Sequence, residues 1–191
     1  MTSRWAQSRA DHKTQQAADI ARAAFGLLIR EGTAGLSMAA IADAAGVARQ
    51  TLYRYYPDLD AVLVGIARLV AESEHDLADA VLASDDPDVQ LETFIRTVFS
   101  TAPGHPSPAA IEALLPPEAR ELVADHEHRL IQLVAGILRR GVDAGAFRPD
   151  IDPTLDAHLL QRLIIAATPL LAMYPDRLVE RVVTIARRIV T

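Results

Sequence analysis

The feature that most constrains the fold is the helical spacing of apolar residues along nearly the whole chain. Near the N-terminus Ile20, Ala23, Ala24, Leu27 and Leu28 recur at positions i, i+3, i+4, i+7 and i+8, which places them on one face of a helix. No run of alternating apolar and polar residues between turn signals stands out, so no strand is indicated. The chain is therefore predicted to be all-α.

Glycine, proline and capping residues divide this pattern into separate helices. Gly32 can end the first helix, Ser37 can cap the second, Pro57 ends the third and Asp58 can cap the fourth. The predicted domains are a helix-turn-helix segment at 1–58 and a longer helical part at 59–191. The predicted helices cover 14–31, a stretch capped by Ser37 that ends at 43 or 44, and then 48–55, 59–83, 88–101, 109–115, 118–144, 153–172 and 176–190.

Composition and charge limit the classes of protein that this chain can belong to. Apolar residues make up 50% of the 191 residues, and there is no cysteine, so a core can form while disulfides and thiolate sites are excluded. The N-terminus has no apolar signal region, and the uncharged, apolar run 163–175 is shorter than the roughly 20 residues that span a bilayer. We expect a soluble cytoplasmic protein without a membrane segment.

The charge is unevenly distributed along the chain. Residues 1–58 hold seven Arg and Lys against five Asp and Glu, a net +2, and the remainder carries −8, which together give the formal net charge of −6. A basic end on an acidic body favours a polyanionic partner for the N-terminal part. Chance explains so small an excess equally well, so the charge alone does not decide.

A helix-turn-helix is predicted where the second and third helices meet. Ala42 and Gly46 stand four residues apart. The small side chain allows close helix approach, and glycine accepts the left-handed backbone of a tight turn. Ile41, Val47 and Leu52 are placed to form a small core with the first helix.

The third helix carries side chains suited to reading DNA. If Leu52 faces inward, Arg49 and Gln50 face outward, where arginine can bond guanine and glutamine can bond adenine in bidentate fashion. Hydroxyl groups of threonine, tyrosine and a helix-capping serine can contact phosphates. The alternatives are solvated arginines and core tyrosines, the latter above all for Tyr56. The predicted DNA-contacting residues are Ser37, Arg49, Gln50, Thr51, Tyr53, Arg54 and Tyr55.

The segment LSMAAIADAAGVARQTLYRYYPDLDAVL, Leu36 to Leu63, resembles the DNA-binding signature of TetR-family (tetracycline-repressor-like) transcriptional regulators. The resemblance covers residues 14–63 and is specific in Ile41-Ala42, Ala45-Gly46-Val47, Thr51-Leu52-Tyr53 and Tyr56-Pro57. It implies a homodimer that binds a palindromic double-stranded DNA operator through paired recognition helices. It also implies a C-terminal ligand-binding domain and a dimer interface in the last two helices.

Two positions depart from the family pattern. Ala39 stands where a basic residue is frequent, and Leu59 stands where lysine is usual. Each change removes a phosphate or base contact. Arg4, Arg9 and Lys13 at the N-terminus are hypothesised to compensate for this loss.

The C-terminal part is expected to hold a small, mostly apolar ligand, although pocket-lining and core residues share one composition. His126-Glu127-His128 does not predict a metal site, because residues i and i+2 on a helix point about 200° apart. No cofactor is predicted. The expected ligand-lining residues are Phe94, Val98, Phe99, Ile111, Leu115, Leu133, Ile137 and Met173.

Functions of other classes compete with that of a ligand-responsive repressor. No zinc-protease helix motif, phosphate loop, nucleophile elbow or converging pair of carboxylates indicates an enzyme. An all-helical interaction module would leave the cluster of arginine and tyrosine in the third helix unexplained. A transcriptional activator that no small molecule releases also remains an alternative.

Overall fold

The computed structural model describes residues 4–101 and 113–191, with side chains from 12 to 100 and from 113 onward. Over these ranges the chain forms eight α-helices, two short 3-10 turns and no strand, so the all-α prediction is confirmed. The predicted helix at 109–115 lies mostly outside the described residues. The helices are α1 Arg4–Glu31, α2 Met38–Ala44, α3 Arg49–Tyr55, α4 Leu59–Leu82, α5 Pro87–Thr101, α6 Pro117–Asp143, α7 Pro153–Ala167 and α8 Leu178–Val190.

Local chemistry fixes the helix ends at the predicted residues in the DNA-binding segment. Ser37 Oγ accepts a hydrogen bond from the Ala40 N–H at 3.2 Å, and Asp58 Oδ1 accepts one from the Ala61 N–H at 2.8 Å. Both side chains satisfy N–H groups that the first turn of a helix leaves free. The left-handed backbone predicted for Gly46 is present, and Gly32 and Gly145 also have positive φ angles.

Three predicted boundaries were wrong. α1 begins at Arg4 rather than near residue 14, since the polar stretch 4–13 contains no glycine or proline to stop it. The helix predicted over 153–172 ends at Ala167, and Thr168–Ala172 forms a 3-10 turn. Pro169 has no N–H to continue the α-helical bonding. α8 begins at Leu178 rather than at 176.

The chain packs as two compact units, the first of which contains the described residues 4–72 and 113–123. The first half of α4 belongs to this unit, because its apolar side chains enter the same core as those of α1 to α3. The division into a DNA-binding domain at 1–58 and a ligand-binding domain at 59–191 stays a prediction. The buried core is formed by Ile20, Ala24, Leu27, Ile41, Ala42, Leu52, Val62, Leu63, Ile66, Ala67, Leu115 and Ala119.

The second unit contains the described residues 73–101 and 124–191. Its core draws on the end of α4 and on α5, α6, α7 and α8, including the aromatic side chains Phe94, Phe99 and Phe147. Arg187 on α8 bonds Asp88 and Glu92 on α5. Such partly exposed ion pairs contribute little free energy.

Apolar side chains lie on the exposed face of α7. Leu155 is 57% exposed and Leu159 is 55% exposed. By length and composition alone, Pro153–Ala172 is one helical stretch in the described chain that is apolar enough to cross a membrane. A core helix of a soluble protein meets the same criterion. Nothing in the described part of the chain covers this face.

Candidate nucleic-acid interface

The turn between α2 and α3 is closed by backbone hydrogen bonds and one left-handed glycine. Gly46 has φ 65°, a conformation that side chains with a Cβ atom disfavour. The Gly46 N–H donates to Asp43 O at 3.2 Å, and the Val47 N–H donates to Ala42 O at 3.0 Å. These bonds set the direction in which α3 leaves α2, as the spacing of Ala42 and Gly46 predicts.

The inward face of α3 holds this helix against α1. Leu52 is fully buried, and the Tyr56 hydroxyl donates to Ala17 O at 3.0 Å. Burial raises the pKa of the Tyr56 phenol, although the nearby Arg68 charge lowers it. The phenol therefore stays neutral and can donate at neutral pH. This arrangement agrees with the interpretation of Tyr56 as a core aromatic residue.

A glycine in α4 makes room for the Tyr56 ring. A Cβ atom added at Gly65 would lie 2.6 Å from Tyr56 Oη and 2.8 Å from Cε1 of the same ring, well inside van der Waals contact. The sequence shows this residue only as a glycine inside a helical pattern. Its role in positioning α3 was not predicted.

The outward face of α3 presents the side chains that were predicted to read bases. Arg49, Gln50 and Arg54 are exposed, and Tyr53 is 50% exposed. Over the described ranges no acidic side chain forms a salt bridge with Arg49. Its positive charge therefore remains available to a polyanion.

Arg54 and Tyr55 contact each other beside this face. The Arg54 guanidinium carbon lies 5.1 Å from the centroid of the Tyr55 ring, which is within the range of a cation–π contact. Arg54 Nη2 also donates to the Tyr55 hydroxyl at 3.4 Å. Thr51 and Tyr55 are half-buried, so they offer less surface to a partner than Arg49 and Gln50.

Ser37 is exposed at the start of α2. Its oxygen caps the helix, while its hydroxyl hydrogen remains available to a phosphate oxygen. Ala39 is half-buried, and Leu59 packs against the core of the first unit. Leu59 thus contributes apolar contact where a lysine would offer charge. The DNA contacts of Ser37 and of the α3 residues stay predictions.

The predicted ligand-lining residues divide into separate groups. Phe94, Phe99 and Ile137 are buried in the core of the second unit, with Val98 and Leu133 packed against it. Two others do not join them: Leu115 belongs to the core of the first unit, and Met173 is 67% exposed. Ile111 lies outside the described residues. A ligand-lining role for all of them stays a prediction.

His126 takes part in a hydrogen-bonded cluster with Glu74 and Arg129 rather than in a group suited to a metal ion. His126 Nδ1 lies 3.3 Å from Glu74 Oε2, and Arg129 Nε donates to the same oxygen at 2.7 Å. Burial lowers the pKa of His126, against the opposing effect of Glu74. His128 is exposed on another side of α6. In the described ranges no three His, Cys, Asp or Glu side chains are grouped for a metal.

One further polar residue stands out in the second unit and was not predicted from the sequence. Gln161 on α7 is only 8% exposed. In the sequence, the sign of this burial is that Gln161 stands among apolar residues at helical spacing.

The chain resembles known proteins in its N-terminal segment and in its fold. Residues 20–66 match the family model described as bacterial regulatory proteins, tetR family. No curated protein sequence matches the chain.

Three solved structures illustrate the likeness in fold. The reduced form of NemR from E. coli has a TM-score of 0.80 at 14% identity, over 93% of this chain and 97% of that one. A TetR-family regulator from Agrobacterium tumefaciens has a TM-score of 0.78 at 19% identity, over 94% and 99%. The regulator FadR from Bacillus subtilis in complex with stearoyl-CoA has a TM-score of 0.70 at 20% identity, over 88% and 96%.

Proposed function

We propose, from the premise that residues 20–66 form a TetR-family DNA-binding domain, that this chain is a ligand-responsive repressor. It binds a palindromic operator as a homodimer in the cytoplasm and is released when a small, mostly apolar molecule binds its second unit. It acts by binding rather than by catalysis, as regulators of this family generally do. The observation that carries the proposal is the outward face of α3, with its exposed arginine and glutamine.

Base reading is assigned to Arg49 and Gln50. Both side chains are exposed in the first turn of α3, the part of a recognition helix that enters the major groove. A bidentate arginine–guanine or glutamine–adenine pair contributes about 1–3 kcal/mol of discrimination against the wrong base. Ser37, Thr51, Tyr53, Arg54 and Tyr55 are assigned to phosphates, because their hydroxyls or charge suit the backbone.

The homodimer is supported by the exposed apolar face of α7. Leu155 and Leu159 lie one helical turn apart, each more than half exposed, and Leu170 and Met173 are also exposed in the segment that follows α7. A second copy would cover the leucines and give two recognition helices for the two halves of a palindrome.

An apolar ligand is supported by the composition of the second unit. Phe94, Phe99 and Ile137 provide buried apolar surface around which such a molecule would be held. FadR, which shares the fold, binds stearoyl-CoA, a molecule with a long acyl chain. The ligand of this chain is expected to share the apolar character.

The proposal is tested by selecting bound duplexes from a randomised DNA library at one fixed salt concentration. We expect enrichment of a palindrome whose half-sites are about one helical turn apart. The Arg49→Ala variant should enrich a sequence that is relaxed at one position of each half-site. Enrichment of no sequence by the wild-type chain, in the presence and absence of a cell extract as a source of ligand, would contradict the proposal.

A further inference from the structure

The outward face of α8 carries positive charge that the described chain does not neutralise. Arg181 and Arg188 stand about two helical turns apart on α8, and Arg177 directly precedes the helix. All three are exposed, and none forms a salt bridge with a described residue. Arg187, on the side of the same helix that faces α5, is bonded to two carboxylates. The three outward arginines therefore remain available to an anion from outside the chain.

Two of these arginines line one depression at the start of α8. Arg177, Arg181 and Tyr174 are among the residues around it. The Tyr174 side chain is 50% exposed, so its hydroxyl can reach an occupant. The Thr184 hydroxyl, also in the lining, already donates to Glu180 O at 2.8 Å. The depression thus offers two guanidinium groups and one phenol as hydrogen-bond donors.

The carboxylates in the same lining leave positive charge in excess. Glu180 is held by Arg96 on α5, whose Nη1 donates to Glu180 Oε1 at 2.6 Å. Asp176 is the other carboxylate of the lining, and it forms no salt bridge with a described residue. Two unpaired arginines therefore face one unpaired aspartate, and an anion would balance the remaining charge.

This charge opposes the proposed homodimer. α7 and α8 pack against each other, and Arg162 on α7 is also exposed and forms no salt bridge within the described ranges. A two-fold interface joins the same surface of both copies, so covering Leu155 and Leu159 also brings the positive charges of both copies closer. Like charges at an interface oppose association. An anion bound beside them would reduce this repulsion.

We propose that the depression at the start of α8 binds a doubly charged oxyanion of the phosphate class, and that the bound anion strengthens the homodimer. The inference rests on the proposed homodimer and adds a ligand to it. A guanidinium group is planar and donates two parallel hydrogen bonds to a phosphate, and the Tyr174 hydroxyl can donate a further one. Chloride has no such pair of oxygens. Inorganic phosphate and a phosphate monoester share this chemistry.

The inference is tested with the full chain in chloride, inorganic phosphate or glycerol 2-phosphate, at one ionic strength and one mildly alkaline pH. The side-chain Nε–H signals of Arg177 and Arg181, assigned by triple-resonance NMR, report anion contact directly. Sedimentation equilibrium measures the dissociation constant of the dimer in the same buffers. We expect phosphate to shift both signals and to lower this constant roughly three- to tenfold relative to chloride. Tighter binding of the ester would assign the site to phosphate esters, and tighter binding of phosphate would assign it to the free ion.

Arg181→Gln removes one of the two guanidinium groups and should abolish the advantage of phosphate over chloride. Arg139→Gln, at an exposed position of α6, is the matched control and should keep that advantage. The inference is overturned if the two arginine signals do not move in phosphate, or if phosphate strengthens the dimers of the wild type and of Arg181→Gln equally. A chain that stays monomeric in every buffer contradicts the proposed homodimer as well, whereas a dimer that responds equally to all three anions overturns this inference alone.

Discussion

Arg49 stands at the first position of α3, exposed and without an acidic partner among the described residues. If it bonds a guanine in bidentate fashion, Arg49→Ala should weaken operator binding by about 1–3 kcal/mol and relax specificity at one position in each half-site. Fluorescence anisotropy with operator variants mutated one base pair at a time measures both effects.

The exposed Arg139 on α6 supplies a matched control for the loss of one charge. Arg139→Ala should leave both affinity and preferred sequence unchanged. A loss of affinity in Arg49→Ala that is equal for every operator variant would assign Arg49 to phosphate rather than to a base.

Tyr53 contributes to DNA binding through its hydroxyl group if its assignment to phosphate is right. The side chain is 50% exposed, so loss of its hydroxyl should have little effect on the stability of the fold. Tyr53→Phe should weaken binding to all sequences by a similar factor, on the order of 1 kcal/mol. Repeating the library selection with this variant measures its preference, and a changed consensus would contradict the phosphate role.

At the scale of helices, α3 keeps its orientation because Tyr56 fits between α1 and a glycine of α4. Gly65→Ala would place a Cβ atom 2.6 Å from Tyr56 Oη. We expect this change to destabilise the chain by about 1–3 kcal/mol through overpacking, and denaturant unfolding measures it.

A second helix-interior glycine provides the control for Gly65. A Cβ atom at Gly136 would meet only the end of the flexible Arg140 side chain, at 3.4 Å. Gly136→Ala should therefore stabilise the chain by about 0.5–1 kcal/mol, because alanine favours the helix. Equal effects of the two substitutions would show that Tyr56 adapts without cost.

In the second unit, His126 on α6 contacts Glu74 on α4. Burial of this histidine disfavours its protonated, charged form. The pKa of His126 is lowered below 6.5 because the effect of burial outweighs that of the Glu74 carboxylate, which raises it. Arg129 lowers the pKa further and Glu127 raises it, both by smaller amounts. The unfolded chain therefore binds the proton first as the pH falls. The contribution of neutral His126 to stability is complete above pH 6.5 and is lost as the pH falls through the folded-state pKa.

Denaturation midpoints compared across this pH range test the effect. His126→Gln should lose less stability on acidification than the wild type, since glutamine does not titrate. His128→Gln, at an exposed position, should behave like the wild type. If His126→Gln and the wild type lose the same stability, the buried histidine does not govern this part of the pH dependence.

At the scale of the whole molecule, the proposed dimer depends on the apolar face of α7. Leu159→Glu should convert the dimer to a folded monomer and abolish tight operator binding, because each partner would bury a charge against apolar surface. Sedimentation velocity measures the change. Leu82→Glu is the control, since Leu82 is exposed to a similar extent, 52%, on α4, and it should leave a dimer. A dimer that survives in Leu159→Glu would place the interface elsewhere.

The fold and the recognition segment were largely predictable because their determinants are local. Apolar spacing predicted the helices, and Ser37, Gly46 and Asp58 marked their ends by capping and backbone preference. Boundaries failed where polar sequence without breakers continued a helix, as in residues 4–13, or where Pro169 altered hydrogen bonding inside an apolar run.

The candidate ligand residues could not be resolved in this way. Leu115 and Phe94 are alike in apolar character, yet one packs in the first unit and the other in the second. Burial of a side chain depends on partners far away in the chain, and composition does not encode them.

The sequence by itself determined that the chain is helical, where its short helices begin, and which side chains of α3 are chemically suited to DNA. These properties follow from hydrogen bonding and residue preferences over a few positions. Only the tertiary structure decided that Tyr56 bonds Ala17 and fits over Gly65, and that His126 meets Glu74. The physical reason is that such contacts join residues distant in sequence, so they exist only once the helices have packed.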